Sequence, residues 1–418
     1  MEIMDGVNLT LKPTKKYKTN QILISFTTNI KNQKEITART LLADLLETTS
    51  LHLPTQRDVA LKLSELYGAS FGTSVSRYGN VYGVNFIINV VNDEYLAETT
   101  HILEDTFAFL NEVIFSPQIK DGEFVADIFQ IQKQNLQAFL ASLDDNKQGK
   151  ALTRMNALYF RDQLQQIPAV GQLEDLSGIT AKQMAQYYHK MITEDQVNIV
   201  VSGDVTRQQV KSAIKVMPFV ARSHKQLDLV YSQPDSTLVK YSDEHENVSQ
   251  SKLNLAYNLP VDHDSQDRFA AMVFNELFGG CALSLLFQNV REKNSLAYYA
   301  ESDYDIFRQE LWVQTGIQSE NKEQVIDVVG QQLSQLRQGK IQQEQLDKIK
   351  ASMINSYIAR SDSQSVDLSK ALTTSLTGVL TPPKQWIANI TAVQIEDIAR
   401  IANRAHLQAV YFLDGRQD

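Results

Sequence analysis

The chain contains almost no cysteine: Cys281 is the only one among its 418 residues. A single thiol excludes an intrachain disulfide bond and is typical of proteins in a reducing compartment. No histidine lies close to Cys281 in the sequence to activate it, so we expect a packed thiol at a helix end and not a nucleophile.

Long apolar runs are also missing, and none is long enough to cross a bilayer. The first residues, Met-Glu-Ile-Met-Asp-Gly, are acidic and lack the apolar core of a signal peptide. We therefore expect a cytoplasmic protein that is not bound to a membrane.

Positive charge is in the minority, with 40 Lys and Arg against 49 Asp and Glu, a net charge of −9. Nucleic-acid binding needs clustered basic residues, and we expect no nucleic-acid partner. The nearest basic cluster is expected to be the solvated edge of a strand; it consists of Lys12, Lys15, Lys16 and Lys18. The glycine-rich phosphate loops are absent as well, and Gly68-Ala-Ser-Phe-Gly72 is interpreted as a turn into a strand.

Histidines are present, but no two of them lie within a helical turn or two of each other. The seven are His52, His101, His189, His224, His245, His263 and His406. A zinc site on one helix needs two imidazoles four residues apart, so that both reach one tetrahedral ion. The sequence therefore provides no local histidine pair for zinc.

What the sequence does contain is a repeated order of elements. In the first half the pattern predicts strands at 7–11, 21–28, 69–77, 81–92 and 196–202, and helices at 36–51, 55–67, 95–114, 121–143 and 180–191. The second half predicts strands at 253–257, 296–304, 310–317 and 409–413, and helices at 267–278, 284–290, 322–336 and 343–360.

A short sequence echo supports this duplication. Residues 179–184 read Ile-Thr-Ala-Lys-Gln-Met and residues 390–395 read Ile-Thr-Ala-Val-Gln-Ile, an offset of 211. Each copy predicts a capping box, formed by Thr180 with Gln183 and by Thr391 with Gln394. We predict an α+β protein of two homologous α/β-sandwich domains, each an antiparallel sheet covered by helices, at residues 1–204 and 236–418, joined by a linker at 205–235.

The most specific stretch is residues 274–299. It contains Gly279-Gly280, an apolar stripe of Leu283, Leu286, Phe287 and Val290, and then Arg291-Glu-Lys-Asn-Ser-Leu-Ala-Tyr298. The paired glycines predict a helix end with backbone angles that a Cβ forbids. This stretch resembles the pitrilysin/insulinase family of zinc peptidases, in the branch that includes mitochondrial processing peptidase. The resemblance implies two halves of the same fold, and enzymes that pair two such chains, or hold four units in one chain, around a chamber.

The family holds zinc with an H-x-x-E-H helix (inverzincin motif) in the first half and a Glu on a later helix. The two His and the distal Glu bind the ion, and the Glu of the motif takes a proton from the bound water. At that place this sequence has Asp44-Leu-Leu-Glu47-Thr48, and the later helix offers Asp127 and Gln134. Oxygen ligands for Mg²⁺ or Ca²⁺ are the alternative, but solvated helix carboxylates are favoured. We expect a degenerate zinc site without metal or cofactor, with zinc only in a partner subunit.

The resemblance implies functional roles for Arg291 and Tyr298. In the two-chain branch, matching residues reach toward the zinc of the other subunit, where Arg holds a substrate carbonyl and Tyr donates to the oxyanion. The structural alternative is that Arg291 caps a helix and pairs with a carboxylate while Tyr298 packs in the sheet. Tyr299 takes the place of Tyr298 if the register shifts by one residue.

Three hypotheses for the function follow. In the first, the chain is a zinc-free subunit of a two-chain peptidase, with a zinc-bearing insulinase-family subunit or a second copy as partner and a peptide as substrate. In the second, it is a peptide- or protein-binding pseudoenzyme that uses strand addition and has no role in proteolysis. In the third, it is a stand-alone hydrolase with an unrecognised site.

Overall fold

The computed structural model describes residues 2–97, 100–223 and 226–415. The chain forms two compact units, each assembled from separate segments. Unit 1 comprises Met1–Ala141, Ala169–Asp228 and Ser361–Gly378, and unit 2 comprises Ser142–Pro168, Leu229–Arg360 and Val379–Asp418. No helix in the described part of the chain is long and apolar enough to span a bilayer.

The strands are β1 (Glu2–Met4), β2 (Val7–Pro13), β3 (Thr19–Asn29), β4 (Ser70–Tyr78), β5 (Val81–Val91), β6 (Ile119–Lys120), β7 (Glu123–Phe124), β8 (Gln196–Gly203), β9 (Lys240–His245), β10 (Ser251–Asn258), β11 (Ala297–Asp305), β12 (Glu310–Ile317) and β13 (His406–Asp414). The α-helices are α1 (Gln33–Thr48), α2 (Gln56–Glu65), α3 (Ile102–Phe115), α4 (Ala126–Ser142), α5 (Lys147–Tyr159), α6 (Gln163–Gln166), α7 (Leu173–Leu176), α8 (Ala181–Glu194), α9 (Arg207–Ala213), α10 (Asp267–Asn275), α11 (Lys322–Arg337), α12 (Gln343–Arg360), α13 (Gln364–Thr377), α14 (Pro383–Ala392) and α15 (Ile395–Ala402). Two π-helical segments occupy Glu276–Gly280 and Phe287–Lys293.

The main sheets of the two units have the same strand order. Among the described residues, unit 1 has the order β1-β2-β8-β3-β5-β4 and unit 2 the order β9-β13-β10-β12-β11. In each sheet one pair is parallel, β2 with β8 in unit 1 and β9 with β13 in unit 2, and the other neighbours are antiparallel. Apart from β1 the orders match strand for strand, which confirms the predicted duplicated α+β fold.

The strand registers also give an equivalence between individual residues. Thr14 N donates to Gly203 O at the end of the parallel pair in unit 1, and Glu246 N donates to Asp414 O at the same point in unit 2. Gly203 and Asp414 are 211 residues apart, the predicted offset. The residue pairs can then be followed from strand to strand, from β8 to β4 in unit 1 and from β13 to β11 in unit 2. They make Thr73 of β4 equivalent to Ser302 of β11.

Each sheet has one face packed under its own helices, with alternate side chains pointing into the core as in a half-covered sheet. Ile22, Ile24 and Phe26 of β3 are completely buried in unit 1. Leu253 and Leu255 of β10 take the corresponding places in unit 2.

The second face of each sheet is covered by a helix from the other half of the sequence. Helix α13 belongs to unit 1, where Leu368, Ala371 and Leu372 pack on Leu23 and Val200. Helix α5 belongs to unit 2; Ala151, Met155 and Tyr159 pack there on Ala256, Ala409 and Tyr411. The contiguous halves predicted at 1–204 and 236–418 do not include this exchange, and neither helix was predicted. Between them, the 205–235 segment contains α9 and the passage from unit 1 to unit 2 after Asp228.

Two helix starts differ from the sequence-based expectation. The box of Thr180 and Gln183 at α8 is confirmed, whereas the predicted second box is wrong. Thr391 lies inside α14 and its hydroxyl donates to Ile387 O, and the cap of α15 is made by the Asp397 carboxylate on Gln394 N. Helix α3 begins at Ile102 and not at 95, because the Asp93 carboxylate accepts from Ile102 N there.

Candidate functional site

Asp44, Glu47 and Thr48, at the place of the family's zinc motif, lie in the last turns of α1. The Asn32 side chain caps the start of this helix. Oε2 of Glu47 accepts hydrogen bonds from the amide and the hydroxyl of Thr73, at 2.8 and 2.6 Å. The Thr48 hydroxyl donates to Asp44 O at 2.9 Å. The Glu47 carboxylate and the Thr48 hydroxyl thus hydrogen-bond within the protein.

Asp44 is half-buried, and burial together with the nearby Glu47 charge raises its pKa to about 6. Asp127 and Gln134 are exposed on α4. In the described part of the chain, no group of three or more His, Cys, Asp and Glu residues is arranged to hold a metal ion. Because no imidazole is present and Glu47 is held by Thr73, the side chains at this place do not fit zinc.

The glycine pair is required for a different reason than predicted. Neither Gly279 nor Gly280 has a positive φ; the two glycines are the last residues of the first π-helical segment. A Cβ on Gly279 would come 2.6 Å from Ser302 N, so the close approach of β11 is what excludes a side chain. The predicted stripe after the pair is buried at Leu286 and Val290 and exposed at Leu283.

Arg291 lies in the last turn of the second π-helical segment and is exposed. Its guanidinium lies 4.7 Å from the ring centroid of Phe287, and its Nε lies 3.6 Å from Glu292 Oε1. Both partners are close in sequence, and an exposed pair of this kind contributes little to stability. Much of the guanidinium therefore remains accessible for a ligand.

Tyr298 is the unpaired residue of a β-bulge. Ala297 pairs with Ile317 and Tyr299 pairs with Gly316, which are neighbours in β12. Between these two pairs β11 therefore has one additional residue, Tyr298. The Tyr298 side chain is 61% exposed, and Gln318 Nε2 donates to its hydroxyl at 3.1 Å. It does not pack in the sheet. Among the described residues, no hydrogen bond or ion pair joins Arg291 to Tyr298.

Tyr299 has the opposite character and is half-buried. Lys252 Nζ lies 5.3 Å from its ring centroid, and its hydroxyl has no hydrogen-bond partner among the described residues. Burial raises the pKa of this hydroxyl further above its ordinary value. Of the two neighbouring tyrosines, Tyr298 is the one that faces solvent.

The bulge is an insertion relative to unit 1. Tyr67 and Ser295 each have a left-handed backbone, with φ of 56° and 51°, just before β4 and β11. Ser70 is the equivalent of Tyr299, because they pair with the equivalent residues Asn89 and Gly316. Three residues lead from Tyr67 to Ser70, but four lead from Ser295 to Tyr299. Tyr298 is the additional residue and has no counterpart in unit 1.

Residues 178–353 match the family model described as the Peptidase M16 inactive domain. This region includes Arg291 and Tyr298 but not the Asp44 to Thr48 positions. Over 415 residues the chain is 29% identical to the "Probable inactive metalloprotease YmfF" of Bacillus subtilis, covering 99% of this chain and 96% of the relative. The chain belongs to the M16 peptidase family. It is a degenerate member of this pitrilysin family, without the H-x-x-E-H motif.

Two solved structures have the same fold. A conserved protein from Enterococcus faecalis V583 is 41% identical, with a TM-score of 0.95 over 100% of this chain and 98% of that one. A Pseudomonas fluorescens protein described as a peptidase M16 inactive domain has the same fold at 16% identity, with a TM-score of 0.80 over 99% of this chain and 97% of that one.

Two contributors to the site of this M16 chain were missed from the sequence. Thr73, which holds Glu47, lies 26 residues further along the chain on another strand. Gln318 directly follows β12, whose end was predicted at Ile317, but no pattern marks it as the partner of Tyr298.

Proposed function

We propose that the chain is the zinc-free subunit of a two-chain M16 peptidase, in which it forms half of the peptide chamber. In this role Arg291 binds the substrate and Tyr298 donates a hydrogen bond to the oxyanion that forms at the partner's zinc. The partner is an insulinase-family chain with an intact H-x-x-E-H motif.

The observation that carries the proposal is the insertion at Tyr298. A bulge costs ladder hydrogen bonds and persists where it directs a side chain, often beside an active site. Here the bulge leaves the Tyr298 side chain 61% exposed, whereas a regular strand would place this residue in the alternating pattern of the sheet. The zinc positions have no imidazole, whereas the segment with the family's Arg and Tyr retains both residues and presents them to solvent.

Isolation of the native protein from its own cells tests the proposal. We expect it to copurify with an M16 chain that contains H-x-x-E-H, and we expect the pair to cleave peptides that neither chain cleaves alone. Peptide cleavage by this chain alone would instead support a stand-alone hydrolase.

A second candidate function is a peptide- or protein-binding scaffold without a role in proteolysis. Strands β4 and β11 each form one edge of their sheet in the described structure, and an open edge can accept an added strand. If the native protein copurifies with a chain that has no zinc motif, and no peptidase activity appears in the complex, this function replaces the first.

A further inference from the structure

We propose that Gln318 is a positioning residue, which holds the Tyr298 hydroxyl so that its proton is directed to a carbonyl oxygen or oxyanion of a bound peptide. The inference rests on the proposed function, since that peptide is the substrate of the two-chain enzyme. If Gln318 acts in this way, the group that binds at Tyr298 is a hydrogen-bond acceptor of the peptide.

The direction of the Tyr298 side chain is set by its neighbour. A Cβ on Gly316 would come 2.4 Å from Cε1 of Tyr299 and 2.5 Å from the Gln250 side-chain oxygen, so the Tyr299 ring packs directly on the glycine. Lys252 lies over the same ring. With Tyr299 packed against these residues, Tyr298 must point away from this face of the sheet.

Gln318 then meets Tyr298 because of the same bulge. Ile317, the last residue of β12, pairs with Ala297 in an antiparallel ladder, so Tyr298 and Gln318 lie diagonally on either side of this pair, within reach of long side chains. The amide nitrogen of the Gln318 side chain donates to the phenolic oxygen at 3.1 Å. In the described structure the Tyr298 hydroxyl has no other hydrogen-bond partner.

The direction of this hydrogen bond, from Gln318 to Tyr298, decides which kind of group Tyr298 can bind. Its oxygen accepts from Gln318, so its own proton remains available to a ligand. A fixed donor directed at the place where negative charge develops stabilises an oxyanion and needs no reorganisation during the reaction. A carboxylate at position 318 would reverse the bond, because it would accept the phenolic proton and withdraw it from the ligand.

The positioning is tested first without any partner. Full-length protein is labelled with [ζ-¹³C]tyrosine, and the Tyr298 signal is identified by its loss in Tyr298→Phe. We expect Gln318→Met and Gln318→Glu both to shift this signal, and Gln318→Glu to shift it in the direction of a donating hydroxyl. Gln385→Glu, which adds the same charge at an exposed site on α14, should leave it in place. An unchanged signal in both Gln318 variants would overturn the inference.

The second test uses the reconstituted pair with a fluorogenic peptide. Gln318→Glu should lower kcat about 100-fold, as Tyr298→Phe does, with KM nearly unchanged. Gln318→Met should lower kcat about tenfold, because the donor is kept but no longer held. The double variant Tyr298→Phe/Gln318→Glu should be no slower than Tyr298→Phe alone, since both changes remove the same interaction.

The outcomes separate the two proposals. If Tyr298→Phe is slow and Gln318→Glu cleaves like the wild type, Gln318 has no positioning role but the proposed function stands. If Tyr298→Phe also cleaves like the wild type, the catalytic role proposed for Tyr298 fails and the role of Gln318 fails with it.

Discussion

Thr73 holds the Glu47 carboxylate with two hydrogen bonds, from its amide at 2.8 Å and from its hydroxyl at 2.6 Å. The equivalent residue of unit 2, Ser302, donates its hydroxyl to Asn275 Oδ1 at 2.8 Å. The same helix-to-strand contact thus occurs in both units, and only unit 1 has a carboxylate in it. Glu47, where the family has its general base, acts here as a structural acceptor.

A first prediction concerns the strength of this contact. Thr73→Val should lower the free energy of unfolding by about 1.5 to 3 kcal/mol, the range for a hydrogen bond to a charged group. Ser302→Ala is the matched control in unit 2 and should cost only about 0.5 to 1.5 kcal/mol, because its acceptor is neutral. Urea unfolding of both variants measures the difference. Equal costs would mean that the charge of Glu47 contributes nothing to the contact.

A second prediction follows from the raised pKa of Asp44. Its pKa of about 6 lies above the ordinary 3.8, so the folded state favours the protonated form and is destabilised as the pH rises through 6. Asp44→Asn removes that charge and should stabilise the protein at pH 7.5 by up to about 3 kcal/mol, from about 1.4 kcal/mol per pKa unit.

The pH dependence is what makes this test specific. Well below the ordinary pKa of 3.8 the carboxyl is protonated in both states, so the advantage of Asp44→Asn should disappear there. Urea unfolding at pH 7.5 and at the low pH measures the difference in stability between Asp44→Asn and the wild type. Asp127→Asn, on the exposed face of α4, is the control. The same gain at both pH values would show that the side-chain amide, and not the loss of charge, is responsible.

Much of the fold could be predicted because strand alternation and helix periodicity are local signals. The order of elements in both halves followed from such patterns, as the strand at Glu310–Ile317 shows. Helices α5 and α13 were missed because each buries only a narrow stripe, such as Ala151, Met155 and Tyr159, on a sheet distant in sequence. Periodicity within the chain does not reveal which sheet a helix covers.

The residues of the candidate site also fall into those that local sequence patterns predict and those that only the folded structure reveals. Asp44, Glu47 and Arg291 were found from motif positions, which are local. The unpaired state of Tyr298 depends on the register between β11 and β12, and -Leu-Ala-Tyr-Tyr- does not show which tyrosine pairs. The contacts made by Thr73 and Gln318 likewise join residues of different strands or helices, so they required the folded structure.

A third prediction uses the helix exchange. Residues 1–235 lack α13 and residues 236–418 lack α5, so each fragment exposes an apolar sheet surface, at Leu23 and Val200 or at Ala256 and Tyr411. Expressed alone, each should be insoluble or aggregated; coexpressed, they should associate and elute together on gel filtration. If each fragment is monomeric and unfolds cooperatively alone, the exchanged helices are not needed for either unit.

A fourth prediction concerns metal. Purified wild-type protein should contain far less than one zinc per chain, because the Asp44 to Thr48 positions offer no imidazole. Asp44→His/Thr48→His recreates two His four apart on α1 and should raise the bound zinc, measured by elemental analysis after gel filtration. Near-stoichiometric zinc in the wild type would refute both the placement of the motif and the zinc-free role.

The last prediction concerns Arg291 and Tyr298 together: they matter for activity only when the zinc-bearing partner is present. Tyr298→Phe keeps the ring and removes one exposed hydroxyl, so it should fold normally and lower turnover by about two orders of magnitude. Arg291→Ala should raise KM or lower both parameters, since a guanidinium that binds substrate also positions it. Peptide cleavage by the reconstituted pair measures both variants.

Tyr241→Phe is the matched control, because Tyr241 is 62% exposed on β9, at the opposite end of the same sheet from Tyr298. It should cleave like the wild type, which separates the loss of one particular hydroxyl from a general effect of removing an exposed phenol. Circular dichroism and gel filtration of the pair show whether each variant folds and assembles. If Tyr298→Phe and Arg291→Ala both assemble and cleave like the wild type, the chain contributes walls to the chamber and no chemistry, and the bulge at Tyr298 serves another purpose.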